Sequence, residues 1–229
     1  MKLMVAILVV TFGVTIYVNP GLFRPTKGWK EEVVLHDGRV IVVKRHFTLA
    51  GYPTPDARER ALIDQTISFV LPDSDKKISW HTEYKSVVPE RNSLSPSLLG
   101  VVNGVPYLAT VPAGCLAYNK WGRPNPPYIL FKYIAAAWQQ ITLDEFPTEL
   151  VHANLMPIPA TSLLKPYYTV AAAKAEWDGN IAAYAKTILR VEVKKGGGIT
   201  SCEELVLYKG SWIGPNDPVM RAIIDRGLK

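Results

Sequence analysis

Cysteine is scarce in this chain, with two residues in 229. Two thiols exclude a miniprotein built on several disulfides, and they exclude a zinc site with four thiolate ligands. Histidine is also scarce, with four residues, and no HExxH, GxSxG, P-loop or GxGxxG pattern occurs. The sequence therefore lacks the signatures of the metalloprotease, serine hydrolase and nucleotide-binding classes that those patterns mark.

Long apolar runs are limited to one, at the N-terminus. Leu3–Val18 is a stretch of sixteen residues without charge, and Asn19-Pro20-Gly21 then provides a helix stop. A membrane-spanning helix needs about 20 apolar residues and a signal-peptide core needs fewer, so the run lies between the two. The small residues in this region match the spacing of a signal-peptide cleavage site poorly, and no cysteine directly follows the run to carry a lipid. We expect residues 1–23 to form an uncleaved membrane anchor; a cleaved signal segment and a buried first element are the alternatives.

The side of the membrane is indicated by two opposing signals. Arg24, Lys27 and Lys30 come after the run, and the positive-inside rule would keep them in the cytoplasm. A short N-terminal segment of this form usually directs the export of the domain behind it. We expect an exported body.

The body, residues 24–229, is predicted to be one mainly β domain of antiparallel hairpins with peripheral helices, an α+β arrangement whose last third is more helical. No linker divides it and no repeat recurs at a fixed period. Asp37-Gly38 and Asn103-Gly104 each lie between β-branched runs, which is a strong hairpin signal. Residues 66–71 and 78–84 form a further predicted hairpin. Pro106 favours an edge position for its strand.

Local patterns predict the other elements. Strands are predicted at residues 115–118, 128–133, 188–193 and 205–208. Helices are predicted at residues 55–64, 170–177, 181–185 and 217–226, the last capped by Asn216.

Two parts of the sequence carry a resemblance. Residues 29–43 lie behind a membrane-targeting run, and Tyr128–Tyr133 is succeeded by Trp138-Gln139-Gln140-Ile141 and Phe146-Pro147. These segments resemble a group of uncharacterised, β-rich, lipoprotein-like bacterial envelope proteins over about half of the chain. With the N-terminal run, this leads us to expect a single-pass inner-membrane protein with a periplasmic body, or a cleaved form that is secreted or periplasmic. No function is known for this group that could be transferred to this chain. The chain also lacks the lipobox cysteine of the lipoprotein-like members.

Histidines and one carboxylate provide the weak catalytic candidates. His81 and Glu83 lie two apart on a predicted strand and therefore share a face, and His46 lies on a neighbouring strand. Such a set could serve a hydrolase or hold a metal. The simpler interpretation is the solvent-facing side of an amphipathic strand, and we expect no metal and no cofactor.

The best candidate for recognition is the proline-stiffened loop Trp121–Tyr128. Tryptophan, tyrosine and arginine dominate binding hot spots, which makes Trp121, Arg123 and Tyr128 candidate binding residues. The alternative is a loop that Trp121 pins to the protein's own core.

Cys115 and Cys202 could form a disulfide in an oxidising compartment, or they could be two separate buried thiols; a bridge requires Cα atoms closer than about 7 Å. The net charge of +6 is spread along the chain, so we expect no nucleic-acid partner. These features favour a membrane-anchored, non-enzymatic envelope protein that binds a protein or surface component or has a structural role. The hydrolase around His81 and Glu83 is the alternative.

Overall fold

The structure is a computed structural model that describes residues 24–53, 60–83, 93–159, 163–176, 182–194, 196 and 198–227. Its strands are β1 (Thr26–Val34), β2 (Val40–Pro53), β3 (Arg60–Val70), β4 (Lys77–Glu83), β5 (Leu94–Val102), β6 (Val105–Pro112), β7 (Ile129–Ile134), β8 (Ala137–Ile141), β9 (Tyr167–Tyr168), β10 (Val206–Tyr208) and β11 (Ser211–Ile213). Its helices are α1 (Cys115–Lys120), α2 (Val170–Ala175), α3 (Ala183–Lys186) and α4 (Pro218–Asp225).

The strands form two main sheets, which confirms the mainly β prediction. One sheet has the order β4-β3-β2-β1-β9, and the other has the order β5-β6-β7-β8; β10 and β11 form a separate pair. All pairings are antiparallel except that of β1 with the short β9. The expected N-terminal anchor lies outside the described residues, and none of the helices within them has the length and apolar character needed to cross a bilayer.

The core lies between the two sheets. Along β4 every second side chain is buried, as expected for a strand with one face inward and one outward. The inward side chains of the two sheets meet in one apolar cluster, joined by Leu155 from the connection between β8 and β9. The strand residues of the cluster are Val33, Val43, Ile67, Phe69, Ile78, Trp80, Leu94, Leu99, Leu108 and Ile129. The sequence alternation of the hairpins therefore becomes face-to-face sheet packing.

The four-stranded sheet is buried on its second face as well. Phe146, Leu150 and Ile188 cover that face and pack against Leu98 and Leu130. At Gly100 a Cβ atom would lie 2.4 Å from Cδ2 of Leu150, so a larger residue here would require the Leu150 side chain to shift. The connection between β8 and β9 thereby becomes part of the interior.

A buried ion pair joins β1 to β2. Glu31 and Arg45 occupy inward positions, with side chains 0% and 1% exposed, and Glu31 Oε1 accepts a hydrogen bond from Arg45 Nη1 at 3.0 Å. The second oxygen of Glu31 accepts from the backbone N–H of Met156 at 3.1 Å. The guanidinium also lies 5.0 Å from the ring of Trp29. Burial raises the pKa of Glu31, while Arg45 and the Met156 N–H act in the opposite direction.

Three hairpin predictions are confirmed. β1 and β2 turn at Asp37-Gly38, β5 and β6 turn at Asn103-Gly104, and β3 pairs with β4. Gly38 has a φ of 85° and Gly104 a φ of 75°, which is the left-handed conformation that these turns require.

Several local predictions are wrong. Residues 115–118 belong to helix α1. Residues 188–193 are outside any strand: the Leu189 N–H donates to the Tyr128 hydroxyl, and the Val193 N–H donates to Asn125 Oδ1. Residues 60–64 are the first part of β3 and are not helical, while 54–59 lie outside the described residues. The cap of α4 is Asp217, whose carboxylate accepts from the Met220 N–H.

Pro106 does not lie on an edge strand, because β6 has neighbours on both sides. Its partner is Val101 on β5, and the pairing with β7 covers only Tyr107–Thr110. The missing N–H of Pro106 therefore falls just beyond the ladder that would have needed it.

Candidate functional site

A cavity of 390 Å³ lies where the edge strand β4 meets the rim of the four-stranded sheet. Its size is within the usual range for ligand sites, roughly 300–1,000 Å³. Half of the residues around it are large aromatic ones, Trp80, Trp121, Phe131 and Trp138; the others are Leu94 and the β4 residues His81, Thr82 and Glu83. We call it the aromatic cavity.

Each aromatic wall is positioned by a different element. Trp80 is an inward side chain of β4 and lies 6.0 Å, ring to ring, from Phe131 on β7. Trp138 on β8 donates its indole N–H to the carbonyl oxygen of Ser79 on β4 at 2.7 Å. This bond ties β8 to the outer backbone edge of β4 and closes one end of the cavity.

Trp121 forms a further wall and comes directly after the end of α1. Its backbone N–H bonds the Ala117 carbonyl oxygen, which completes the helix, and its ring packs against the main core cluster. The indole nitrogen Nε1 is buried and has no hydrogen-bond partner among the described residues. Leaving a buried donor unpaired costs about 1–3 kcal/mol, so this position carries a polar group that the described part of the fold does not use.

The backbone edge of β4 is a second feature of the site. β4 is the last strand of its sheet, and the Ser79 carbonyl oxygen points away from β3 toward Trp138. Because backbone direction repeats every two residues along a strand, the N–H and C=O groups of His81 face the same way. The cavity therefore combines aromatic walls with the hydrogen-bonding side of an edge strand.

The three predicted catalytic candidates are not brought together. In register, His46 pairs with Thr66 and Thr66 with His81, so the two histidines are separated by a whole strand, roughly 9–10 Å. The His81 ring faces the outer side of the sheet, where Nδ1 lies 3.0 Å from the Thr66 hydroxyl. Glu83 lies two residues further along β4, opposite Asp64. Within the described residues no group of three or more metal-ligating side chains converges.

Arg123 and Tyr128, the other two predicted binding residues, are used inside the fold. Arg123 donates to the carbonyl oxygens of Cys202 and Glu203 at 2.7 and 2.8 Å, and its guanidinium lies 5.0 Å from the Tyr118 ring. The Tyr128 hydroxyl shares its proton between the carbonyl oxygens of Tyr184 and Thr187. Of the recognition loop, only Trp121 lines the aromatic cavity.

Tyr128 gives the chain a distinct alkaline response. Its hydroxyl also accepts from the Leu189 N–H at 3.0 Å, and burial raises its pKa from 10.0 to about 12. Below pH 10 the group is neutral in both states and has no pH effect. From pH 10 to 12 the unfolded state ionises first, so the free energy of unfolding falls by up to about 1.4 kcal/mol per pH unit.

We expect Tyr128→Phe to lower the free energy of unfolding by about 1–3 kcal/mol below pH 10, because three backbone groups lose their partner. Since phenylalanine does not ionise, the difference from the natural protein should narrow as the pH rises from 10 to 12. Urea unfolding at pH 8, 10 and 11.5 measures it. A difference that stays constant across this range would contradict the assignment.

The structure joins Cys115 and Cys202 in a disulfide with a Cα–Cα distance of 5.4 Å. The bridge links the start of α1 to the end of the 3₁₀ turn Gly198–Ser201. Asn119 strengthens the same junction, since its amide donates to the Glu203 carbonyl and accepts from the Leu205 N–H. Of the alternatives left open by the sequence, the structure has the bridged one.

Residue type and spacing alone do not identify Trp80, Phe131 and Trp138 as site residues. Their signal was the alternation itself, which placed Trp80 inward on a strand that the fold leaves at a sheet edge. No known protein family, curated protein or solved structure matches this chain.

Proposed function

We propose that this protein is a membrane-anchored, non-enzymatic binding protein whose aromatic cavity takes up an extended segment of a partner protein. One apolar or aromatic side chain of the segment enters the cavity, and its backbone adds alongside β4. The observation that carries the proposal is the meeting of Trp80, Trp121 and Trp138 at the outer edge of a strand.

An extended peptide fits both features of the site at once. Strand addition supplies backbone hydrogen bonds, and pockets for alternate side chains supply selectivity. The alternative hydrolase is less well supported, because the His81 ring bonds Thr66 on the outer face and His46 lies a strand away. His81 and Glu83 both border the aromatic cavity, but His46, the third candidate, is not among the described residues that line it.

The proposed location is the envelope, with the body outside the cytoplasm. The apolar run before residue 24 supports a membrane anchor. The Cys115–Cys202 bridge supports the exported orientation over the cytoplasmic one, since disulfides persist in oxidising compartments.

The binding test uses the full chain in a mild detergent and a display library of random twelve-residue peptides. We expect recovered peptides to bind at least tenfold more weakly to Trp121→Ala, which removes a cavity wall. We expect the same loss with His81→Pro, because proline removes the outward N–H of β4. Titration by fluorescence polarisation gives the dissociation constants.

Two matched variants control the test. His81→Ala removes the imidazole but keeps the backbone N–H, and Trp212→Ala removes an indole from β11, outside the cavity. Both should bind the recovered peptides normally. If no peptide is enriched, or if His81→Pro binds as well as His81→Ala, strand addition at β4 is wrong. Circular dichroism of each variant separates lost binding from lost folding.

A further inference from the structure

A second cavity, of 420 Å³, is independent of the proposed peptide site. β1, residues 152–154, α2 and the end of α3 enclose it. Its floor is apolar and is formed in part by Val34, Val170 and Ala173. His152, Lys174 and Lys186 stand around it. We call it the basic cavity.

The side-chain amide of Asn154, which lines the basic cavity, makes three hydrogen bonds to backbone groups. Asn154 accepts a hydrogen bond from the Leu99 N–H and donates to the carbonyl oxygens of Leu99 and Val34, all within 2.8–2.9 Å. This one side chain ties β1 to β5. The Asn154 amide therefore holds residues 152–154, which line one side of the cavity, against both strands.

Among the described residues around the cavity, the one acid is Glu32, and the fold already uses it. Its Oε1 accepts from the Tyr167 hydroxyl at 2.9 Å, and its Oε2 accepts from the Val170 N–H at 3.0 Å. The carboxylate is thereby held against the start of α2. Its negative charge remains, but its oxygens are directed at partners within the protein.

The two lysines of the cavity carry positive charges that no ion pair within the described residues neutralises. Lys174 lies on α2 and Lys186 on α3, and both are exposed. Within the part of the chain that the structure describes, neither lysine takes part in an ion pair. Two lysines against one carboxylate give the cavity a net positive charge.

We propose that the basic cavity binds a small organic anion, with an apolar body on the Val34 and Ala173 floor and a carboxylate or similar oxyanion between Lys174 and Lys186. A concave apolar surface with a few converging polar groups is the usual form of a small-molecule site. The low polarity of the floor strengthens the attraction between the anion and the lysines relative to open water.

The arrangement predicts effects of opposite sign for two kinds of substitution. The double variant Lys174→Ala/Lys186→Ala removes the attraction and should weaken binding of an anion about tenfold. Glu32→Gln removes the nearby negative charge while keeping an oxygen acceptor for Tyr167 or Val170. It should strengthen anion binding about twofold to fivefold.

The probe is 4-phenylbutyrate, and its uncharged partner is 4-phenylbutanamide. Ligand-observed NMR titration of the full chain in a non-ionic detergent gives both affinities. We expect the carboxylate to bind more tightly than the amide, to lose affinity in 0.5 M salt, and to show the two effects above. The amide should be insensitive to all of these changes.

Lys44→Ala/Lys77→Ala is the matched control, because it removes two exposed lysines from the outer face of the five-stranded sheet and changes the net charge equally. The control should bind 4-phenylbutyrate like the natural protein. The proposal is overturned if the control and the cavity variant lose affinity equally, if the carboxylate and the amide bind alike, or if Glu32→Gln, folded by circular dichroism, weakens anion binding.

Discussion

Arg45→Met is expected to lower the free energy of unfolding by about 3–5 kcal/mol at pH 7, the usual cost of breaking a buried ion pair. Arg45 and Glu31 are essentially inaccessible to water, and the carboxylate depends on this guanidinium for its neutralisation. Methionine fills a similar volume, so the expected loss comes from the charge left behind on Glu31 and much less from a cavity.

The pH dependence of the stability of Arg45→Met tests whether the charge on Glu31 causes the loss. Burial already raises the pKa of Glu31 above 4.5, and removal of Arg45 takes away the strongest opposing influence. A native pKa above the unfolded one means that the folded state holds its proton more tightly. The free energy of unfolding therefore falls as the pH rises between the two values, so the variant should be least affected near pH 4.5 and most affected at neutral pH.

Chemical denaturation of the natural protein, Arg45→Met and the double variant Arg45→Met/Glu31→Leu across pH 4.5–8 measures this. The double variant removes both charges and should recover to within about 1–2 kcal/mol of the natural protein, with no added pH slope. A single variant whose loss is the same at every pH would show that packing, and not the stranded carboxylate, decides the stability here.

Loss of the Cys115–Cys202 disulfide is expected to lower the free energy of unfolding by about 2–5 kcal/mol. The bridge spans 87 residues, and closing a long loop restricts the unfolded chain strongly. It also anchors the last part of the chain, where Arg123 and Asn119 bind the carbonyl oxygens of Cys202 and Glu203.

Denaturation of Cys115→Ser/Cys202→Ser beside the natural protein with and without a reductant tests this expectation. The double variant and the reduced natural protein should agree, and the variant should be insensitive to the reductant. Hydrogen exchange should increase first around residues 198–205. Equal stability of all samples would contradict it.

The redox state in cells tests the proposed location with the same two cysteines. Thiols blocked in intact cells and analysed without reductant should show the bridged form if the body lies outside the cytoplasm. A chain found fully reduced would favour the cytoplasmic orientation that Arg24, Lys27 and Lys30 suggest.

The hairpins of this fold are determined by residues that are neighbours in the sequence. Asp37-Gly38 and Asn103-Gly104 determine where the chain turns, because a positive φ is a local requirement that glycine meets. The alternation in β4 likewise determines which of its side chains face inward. These features need no information from distant parts of the chain.

Residues 115–118 and 188–193 show where local patterns fail. Both have strand-like composition, but one becomes the helix that carries Trp121 and the other is held by the Tyr128 hydroxyl, 61 positions away. Helix α1 is joined to Cys202 and Glu203, and Leu189 to Tyr128, and no local window of the sequence contains these contacts.

The candidate site divides in the same way. Trp121 and the strand that carries His81 could be predicted from the sequence, since residue type and alternation are local properties. Three other features depend on which strands become edges and which helices face each other. They are the convergence of Trp80, Trp121 and Trp138, the distance between His46 and His81, and the position of the two lysines in the cavity that Asn154 lines. Sheet order is set by the burial of whole faces, a free energy summed over the entire chain, and only the tertiary structure decides it.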